Sequence, residues 1–257
     1  MHNINLIGLY TLIRREVERS IFRVAIQAII SPLISAFLFI FIFGFVLGKK
    51  IELIAGISYI EFVFPGILMM NILTASFIAS SNALYFSRFI KTIEEILVAP
   101  LSYAEMIIAF ISSAIIRSLI IAFGILTIGL LFGAVSFVRL DLFLFYALGI
   151  SIVFSLLGII VGLWAKGFEQ LNVLNTFIIM PLSFLGGMFY SIEFLPESIR
   201  TITILNPFFY FIDGMRFSMT GVTESNLTVG AIMIVSLIVT LGLLVWYLFK
   251  ISWRLRE

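Results

Sequence analysis

Few residues in this chain are of a type that does chemistry, and their spacing is wrong for most of it. Gly44-Phe-Val-Leu-Gly48-Lys49-Lys50 has the outline of a phosphate loop. Such a loop needs four residues between its glycines and a Ser or Thr hydroxyl after the lysine to hold Mg²⁺; here three residues intervene and a second lysine follows. There is no cysteine and one histidine, His2, which leaves no thiolate nucleophile and no Cys/His metal site. No Ser/His/Asp set or carboxylate pair suggests hydrolysis, and Asn226-Leu-Thr228 fits a glycosylation acceptor only as a permissive pattern. The chain is therefore expected to have no catalytic, cofactor or metal site of its own. Two exceptions stand out. Arg88, Lys91, Glu94, Glu95 and Glu105 crowd into residues 85–105, between long apolar runs, and Arg117 lies inside such a run.

Of 257 residues 62% are hydrophobic and 12% charged, with a mean hydropathy of +1.21. The usual apolar share of a soluble domain is about 45–50%, so lipid must be the solvent for most of this chain. A net charge of +2 gives no reason to expect nucleic acid as a partner. No cleavable signal peptide is expected, since the first apolar run follows Arg23 without a small-residue cleavage site.

These residues must be positioned by helices, because a segment in hydrocarbon has to satisfy its backbone internally. Leu6, Tyr10, Ile13, Val17 and Ile21 recur three or four apart with Arg14, Arg15, Glu16, Glu18 and Arg19 between them, which predicts an amphipathic interfacial helix over 4–22. Six runs long enough to cross about 30 Å follow, at 24–47, 62–85, 112–134 (within an apolar stretch from 107), 142–165, 171–190 and 228–249. The expected fold is thus an all-α integral membrane protein of six transmembrane helices, a single domain over 1–257. With both termini inside, the cytoplasmic connections carry Arg14, Arg15, Arg19, Arg23, Arg88, Lys91, Lys166, Lys250, Arg254 and Arg256, against Lys49, Lys50, Arg139, Arg200 and Arg216 outside. That asymmetry favours this orientation and puts the polar island of 85–105 in the cytoplasm.

Arg117 is either a paired, functional charge or one near enough to a membrane face to snorkel. The pairs Gly44/Gly48, Gly129/Gly133 and Gly158/Gly162 read as helix-packing marks. Between the last two runs, Pro196 and Pro207 can each open a short helix, with Glu197/Arg200 and Asp213/Arg216 three apart. These pieces, 195–219, are too apolar for a solvated loop and too short or too charged to span, and read as half-inserted helices.

Taken in order, several stretches resemble the permease family of type-two ABC exporters (ABC-2-type membrane subunits), in particular bacterial YadH-type inner-membrane permeases. They are Tyr59-Ile-Glu-Phe-Val-Phe-Pro65-Gly66-Ile-Leu-Met-Met, Ile93-Glu-Glu-Ile-Leu-Val-Ala-Pro100, Pro181-Leu-Ser-Phe-Leu-Gly-Gly-Met-Phe-Tyr190, Leu195-Pro196 and Leu205-Asn-Pro-Phe-Phe-Tyr-Phe-Ile-Asp-Gly-Met-Arg216. The resemblance implies a multi-pass protein of the bacterial inner membrane that pairs with a second permease, expected to be an identical copy, and with two ABC ATP-binding subunits that carry ATP and Mg²⁺. It implies a coupling helix over 88–100, using Arg88, Phe89, Lys91, Ile93, Glu94, Glu95, Leu97 and Pro100, with Phe89, Ile93 and Ile96/Leu97 on one face and the charges on another, docking into a groove on the ATPase. It further implies two re-entrant helices forming an outer gate with Glu193, Pro196, Glu197, Arg200, Pro207, Asp213 and Arg216. The competing readings are an ATP-independent carrier or channel and a lipid-modifying membrane enzyme. The first is disfavoured because Glu61 and Glu169 sit at span edges and no carboxylate is central.

Overall fold

The computed structural model describes residues 5–23, 25–48 and 53–255; His2, Lys49, Lys50 and Arg256 lie outside them, as does residue 24. Helix α1, Leu6–Glu18, runs on through a π-helical turn, Arg19–Arg23. Helix α2, Ala25–Phe41, continues as a π-helical stretch, Ile42–Leu47. Then come α3 (Tyr59–Phe89), the short α4 (Thr92–Val98), α5 (Tyr103–Leu131) and α6 (Leu140–Trp164). A broken stretch follows: a 3₁₀ turn, Phe168–Asn172, a π turn, Asn175–Ile179, and α7, Met180–Leu185. Short helices α8 (Glu197–Leu205) and α9 (Pro207–Thr220) precede α10, Leu227–Lys250. The described residues form no strand beyond one isolated bridge between Ile54 and Ile57.

Five described stretches are long and apolar enough to cross a membrane: α3, α5, α6, the broken stretch Phe168–Leu185, and α10. The first run is shorter among the described residues, an apolar helix over Ala28–Gly44. Its irregularity has a local cause. Pro32 sits inside α2, where it has no N–H to give the carbonyl four residues back and its ring crowds that carbonyl. Pro181 does the same at the start of α7, after the π turn.

Two helices extend beyond the apolar runs that announce them. Helix α3 begins at Tyr59 because Ser58 closes a capping box: its hydroxyl accepts from the Glu61 N–H, and the Glu61 carboxylate accepts from the Ser58 N–H at 3.1 Å. Helix α5 begins nine residues before the expected 112, at Tyr103, through the same device: Glu105 accepts from the Ser102 N–H at 2.6 Å and its other oxygen from the Asn5 N–H at 2.7 Å. Glu61 and Glu105 are thus helix caps, and Glu105 also ties α1 to the start of α5.

Helix α3 is the hub, buried on nearly every side by α5, α6 and α9. In lipid no hydrophobic force draws apolar helices together, so close packing of small residues must do it. Phe77, Ser80, Ser81 and Leu84 on α3 face Gly158 and Gly162 on α6, and the serine hydroxyls return their hydrogen bonds to their own helix, as from Ser80 to the Ser76 carbonyl at 3.0 Å. A Cβ on Gly162 would come within 2.8 Å of the Ser81 carbonyl oxygen. Of the three glycine pairs, Gly158/Gly162 marks a helix contact at both positions; Gly129 packs on the Phe64 ring, while Gly133 supplies a positive φ just beyond α5. Ser118 of α5 and Ser151 of α6 share a buried hydrogen bond at 3.0 Å.

Candidate functional site

The polar island divides into three parts. Tyr85, Arg88 and Phe89 belong to the last turns of α3 rather than to the short helix after it. Lys91, in left-handed conformation at φ 59°, turns the chain, and α4 then carries Ile93, Glu94, Glu95 and Leu97 before Pro100 leads to α5.

Helix α4 is amphipathic, and the isoleucines of its apolar side are turned into the bundle. Ile93 and Ile96 are only 1% and 4% exposed and sit in a hydrophobic cluster with Leu84, Met106, Phe110, Leu163 and Phe249. The cause is position: seven residues lying across the ends of α3 and α5 have to cover the apolar floor beneath them. What faces outward is Glu94, Glu95 and Val98, the last 86% exposed, with Phe89, Ile90 and Lys91 beside them.

Arg88 is a clamp. Its Nη1 donates to the carbonyls of Gly162 (2.7 Å), Leu163 (2.9 Å) and Ala165 (3.3 Å). The last carbonyls of a helix have no intrahelical donor and carry the negative end of its dipole, so a cation is suited to that end. The end of α3 is thereby bound to the end of α6, and this pairing also lets α3 run on through a charged residue to Phe89. Beside the clamp, Tyr85 and Phe89 both pack edge-on against Phe168, with centroids 4.9 and 5.4 Å away. Replacing Arg88 with methionine is expected to destabilise the chain by about 1.5–3 kcal/mol, read as a lowered unfolding temperature in detergent; an unchanged temperature would reject the clamp.

At the other end of the bundle the charges expected in a gate divide sharply by burial. Glu193, Pro196, Glu197 and Arg200 are exposed, on and just before α8. Pro196 serves as the N-cap of α8 and Pro207 opens α9 behind the Asn206 cap, whose side chain accepts from the Phe208 N–H. Asp213 and Arg216, by contrast, are fully buried. Arg216 lies 3.8 Å over the Phe62 ring and donates to the carbonyls of Phe62 (3.2 Å) and Gly187 (2.7 Å), with the Glu224 carboxylate at 3.4 Å and Asp213 at 3.7 Å. Asp213 in turn accepts from the N–H groups of Glu224 and Ser225, both at 2.9 Å, and from the hydroxyls of Thr223 (2.7 Å) and Ser225 (2.6 Å). Glu224, also bonded by the Ser191 hydroxyl, is the member that spacing did not announce. Burial pushes its carboxyl above the ordinary range, against the pull of Ser191 and Arg216. The cluster fastens α9 to the start of α3 and to the turn after α7.

Arg117, on α5, is 8% exposed. It faces α2, where its Nη2 donates to the Ala28 carbonyl at a long 3.5 Å. Ala28 lies four residues before Pro32, so this is the carbonyl that the proline leaves without a helical donor. Both options for this residue were visible in the sequence; the structure places it buried, facing a cavity of about 750 Å³ between α2, α3 and α5. Among the described residues no group of His, Cys, Asp or Glu could hold a metal ion.

The sequence matches the ABC-2 type transporter family over residues 8–220, from α1 through α9. It is 31% identical over 214 residues to the inner membrane transport permease YadH of Escherichia coli K12, covering 82% of each chain. It is 26% identical over 193 residues to nodulation protein J of Rhizobium meliloti, covering 72% of each. Against the putative transport permease ycf38 of Cyanophora paradoxa it is 30% identical over 171 residues, 62% of this chain and 56% of the other. With long apolar helices and a family match over most of its length, the chain belongs to the ABC-2 type transporter family and is a transmembrane transport permease.

Proposed function

We propose that the chain is the membrane subunit of an ATP-driven exporter in the bacterial inner membrane, working as a pair and coupled through α4 to separate ATP-binding subunits. The observation that carries this reading is the construction of α4: a seven-residue helix with its apolar underside fixed in the bundle and Glu94, Glu95 and Val98 turned outward. ATP and Mg²⁺ are bound and turned over on the partner subunits.

In this chain, Ile93 and Ile96 tie α4 into the same cluster as Leu84 of α3 and Met106 of α5. Arg88 passes any displacement of α3 to α6. A push on α4 therefore moves three long helices together, opening a path between the two permeases along α2, α3 and the broken stretch Phe168–Leu185. The first run, with its proline and π turns, makes the sixth span, and both termini lie in the cytoplasm with α4. Leu6, Ile7 and Tyr10 of α1 are exposed, as a helix lying in the membrane interface requires. Helices α8 and α9, roughly 13 and 21 Å long at 1.5 Å per residue, are too short to span and form the re-entrant outer gate. Within that gate the exposed α8 is the moving part and the Asp213–Arg216 cluster its anchor.

The combined substitution E94R/E95R/V98D is expected to cut co-purification of the ATP-binding subunit at least tenfold and to abolish ATP-stimulated export from vesicles. The unfolding temperature should stay unchanged, because all three side chains are exposed. If the unaltered chain retains no ATP-binding subunit, or the triple variant retains it fully, the coupling assignment fails.

A further inference from the structure

The cavity beneath Arg117 lies between α2, α3 and α5. Three residues that line it from three different elements each hold a buried polar atom with no hydrogen-bond partner among the described residues: Ser20 (Oγ) after α1, Thr74 (Oγ1) on α3 and Arg117 (Nε) on α5. A buried polar atom left unpaired costs about 1–3 kcal/mol, and three residues of this one wall each carry such an atom. Among the described residues the lining contains two cations, Arg19 and Arg117, and no carboxylate. Arg19 is held by Glu16 at 2.8 Å, the Ala83 carbonyl at 2.6 Å and the Ser87 hydroxyl at 3.0 Å. Arg117 has five N–H donors and, among the described residues, one long bond, to Ala28. The remainder of the wall is largely apolar, from Ala28, Pro32, Ala75, Ile78 and Ile121, and the cavity reaches the surface at Ser31, Asn82 and Phe86. From Asn71 to Phe86 it follows α3 for about 22 Å at 1.5 Å per residue, longer than a small inorganic anion needs.

We propose that this cavity binds an anionic amphiphile carrying a phosphate ester, with Arg117 as counter-ion to the headgroup and the apolar wall receiving part of the chain. Guanidinium suits phosphate because its planar fork can make two parallel charged hydrogen bonds. In a bilayer the abundant molecule of that chemistry is anionic phospholipid. A soluble phosphate compound would share the headgroup but leave the apolar wall empty.

The test uses the full chain purified in a neutral maltoside detergent and titrated with dioleoyl phosphatidylglycerol, bound lipid being counted by native mass spectrometry. Phosphatidylglycerol should bind at least tenfold more tightly than the zwitterionic phosphatidylcholine, and Arg117→Met should remove that preference. Arg117→Lys, which keeps the charge without the fork, should lose only a few-fold. Ser31→Trp places an indole at the cavity's exposed mouth with Arg117 intact and should block binding while leaving the unfolding temperature in place, so the proposal stays testable if Arg117→Met does not fold. Millimolar inorganic phosphate or glycerol 3-phosphate should not displace the lipid. Equal binding by folded Arg117→Met, undiminished binding by Ser31→Trp, or displacement by the soluble phosphates would each overturn the proposal, the last by showing a site for free anions.

Discussion

Replacing Arg216 with methionine should destabilise the folded chain by about 3–5 kcal/mol, the range found when one partner of a buried charge pair is removed. The guanidinium is fully buried, and its loss would strip the Phe62 and Gly187 carbonyls of a donor and leave Asp213 and Glu224 facing each other without a cation. Lysine should recover only part of the loss, since one ammonium cannot reach two carbonyls and two carboxylates in the plane that the guanidinium occupies. Thermal unfolding of the purified variants in detergent reads both effects. An unfolding free energy within about 0.5 kcal/mol of the unaltered chain, the spread of ordinary surface substitutions, would show that the cluster carries no weight.

The second large effect is expected at Gly158. A Cβ there would lie 2.1 Å from Ser80 Oγ and 2.5 Å from the Phe77 carbonyl oxygen, so even alanine must push α6 off α3. Overpacking of this kind costs about 1–3 kcal/mol. Adding Ser80→Ala should recover only part, because the backbone oxygen of Phe77 remains in the way. Gly242→Ala on α10 is the control: nothing lies within 4 Å of the added methyl, and the change should be neutral or stabilising by up to about 1 kcal/mol, the helix preference of alanine over glycine. Equal unfolding temperatures for Gly158→Ala and Gly242→Ala would remove the argument that α3 and α6 are held by close approach.

The sequence was most informative where the rule is local. Apolar length announced α3, α5, α6 and α10, and the residue three before each relevant Glu, Ser58 and Ser102, could have announced the two helix starts, which lie before the apolar runs at 62 and 112. Proline placement located the starts of α8 and α9. What depends on tertiary contact was less legible. The amphipathic pattern of 93–97 is visible in the chain, but which face turns inward depends on a floor to which Leu163 and Phe249, both far from α4 in sequence, contribute. Arg88 reads as a surface charge until the end of α6, more than seventy residues on, is brought beside it. Asp213 and Arg216 were legible as a pair by their spacing, whereas Glu224 joins them only because the chain turns back after Gly221, at φ 77°.

The spacing of that pair also bears on how the protein is made. A lone arginine or aspartate at the centre of a nascent helix resists entry into lipid by about 2.5–3.5 kcal/mol. Here the two opposite charges lie three residues apart on one helix, so α9 can leave the ribosome as a net-neutral unit before any other contact forms. The carbonyls of Phe62 and Gly187 belong to segments already synthesised, and Thr223, Glu224 and Ser225 emerge within the next few residues. The order of synthesis therefore supplies partners to each charge in turn.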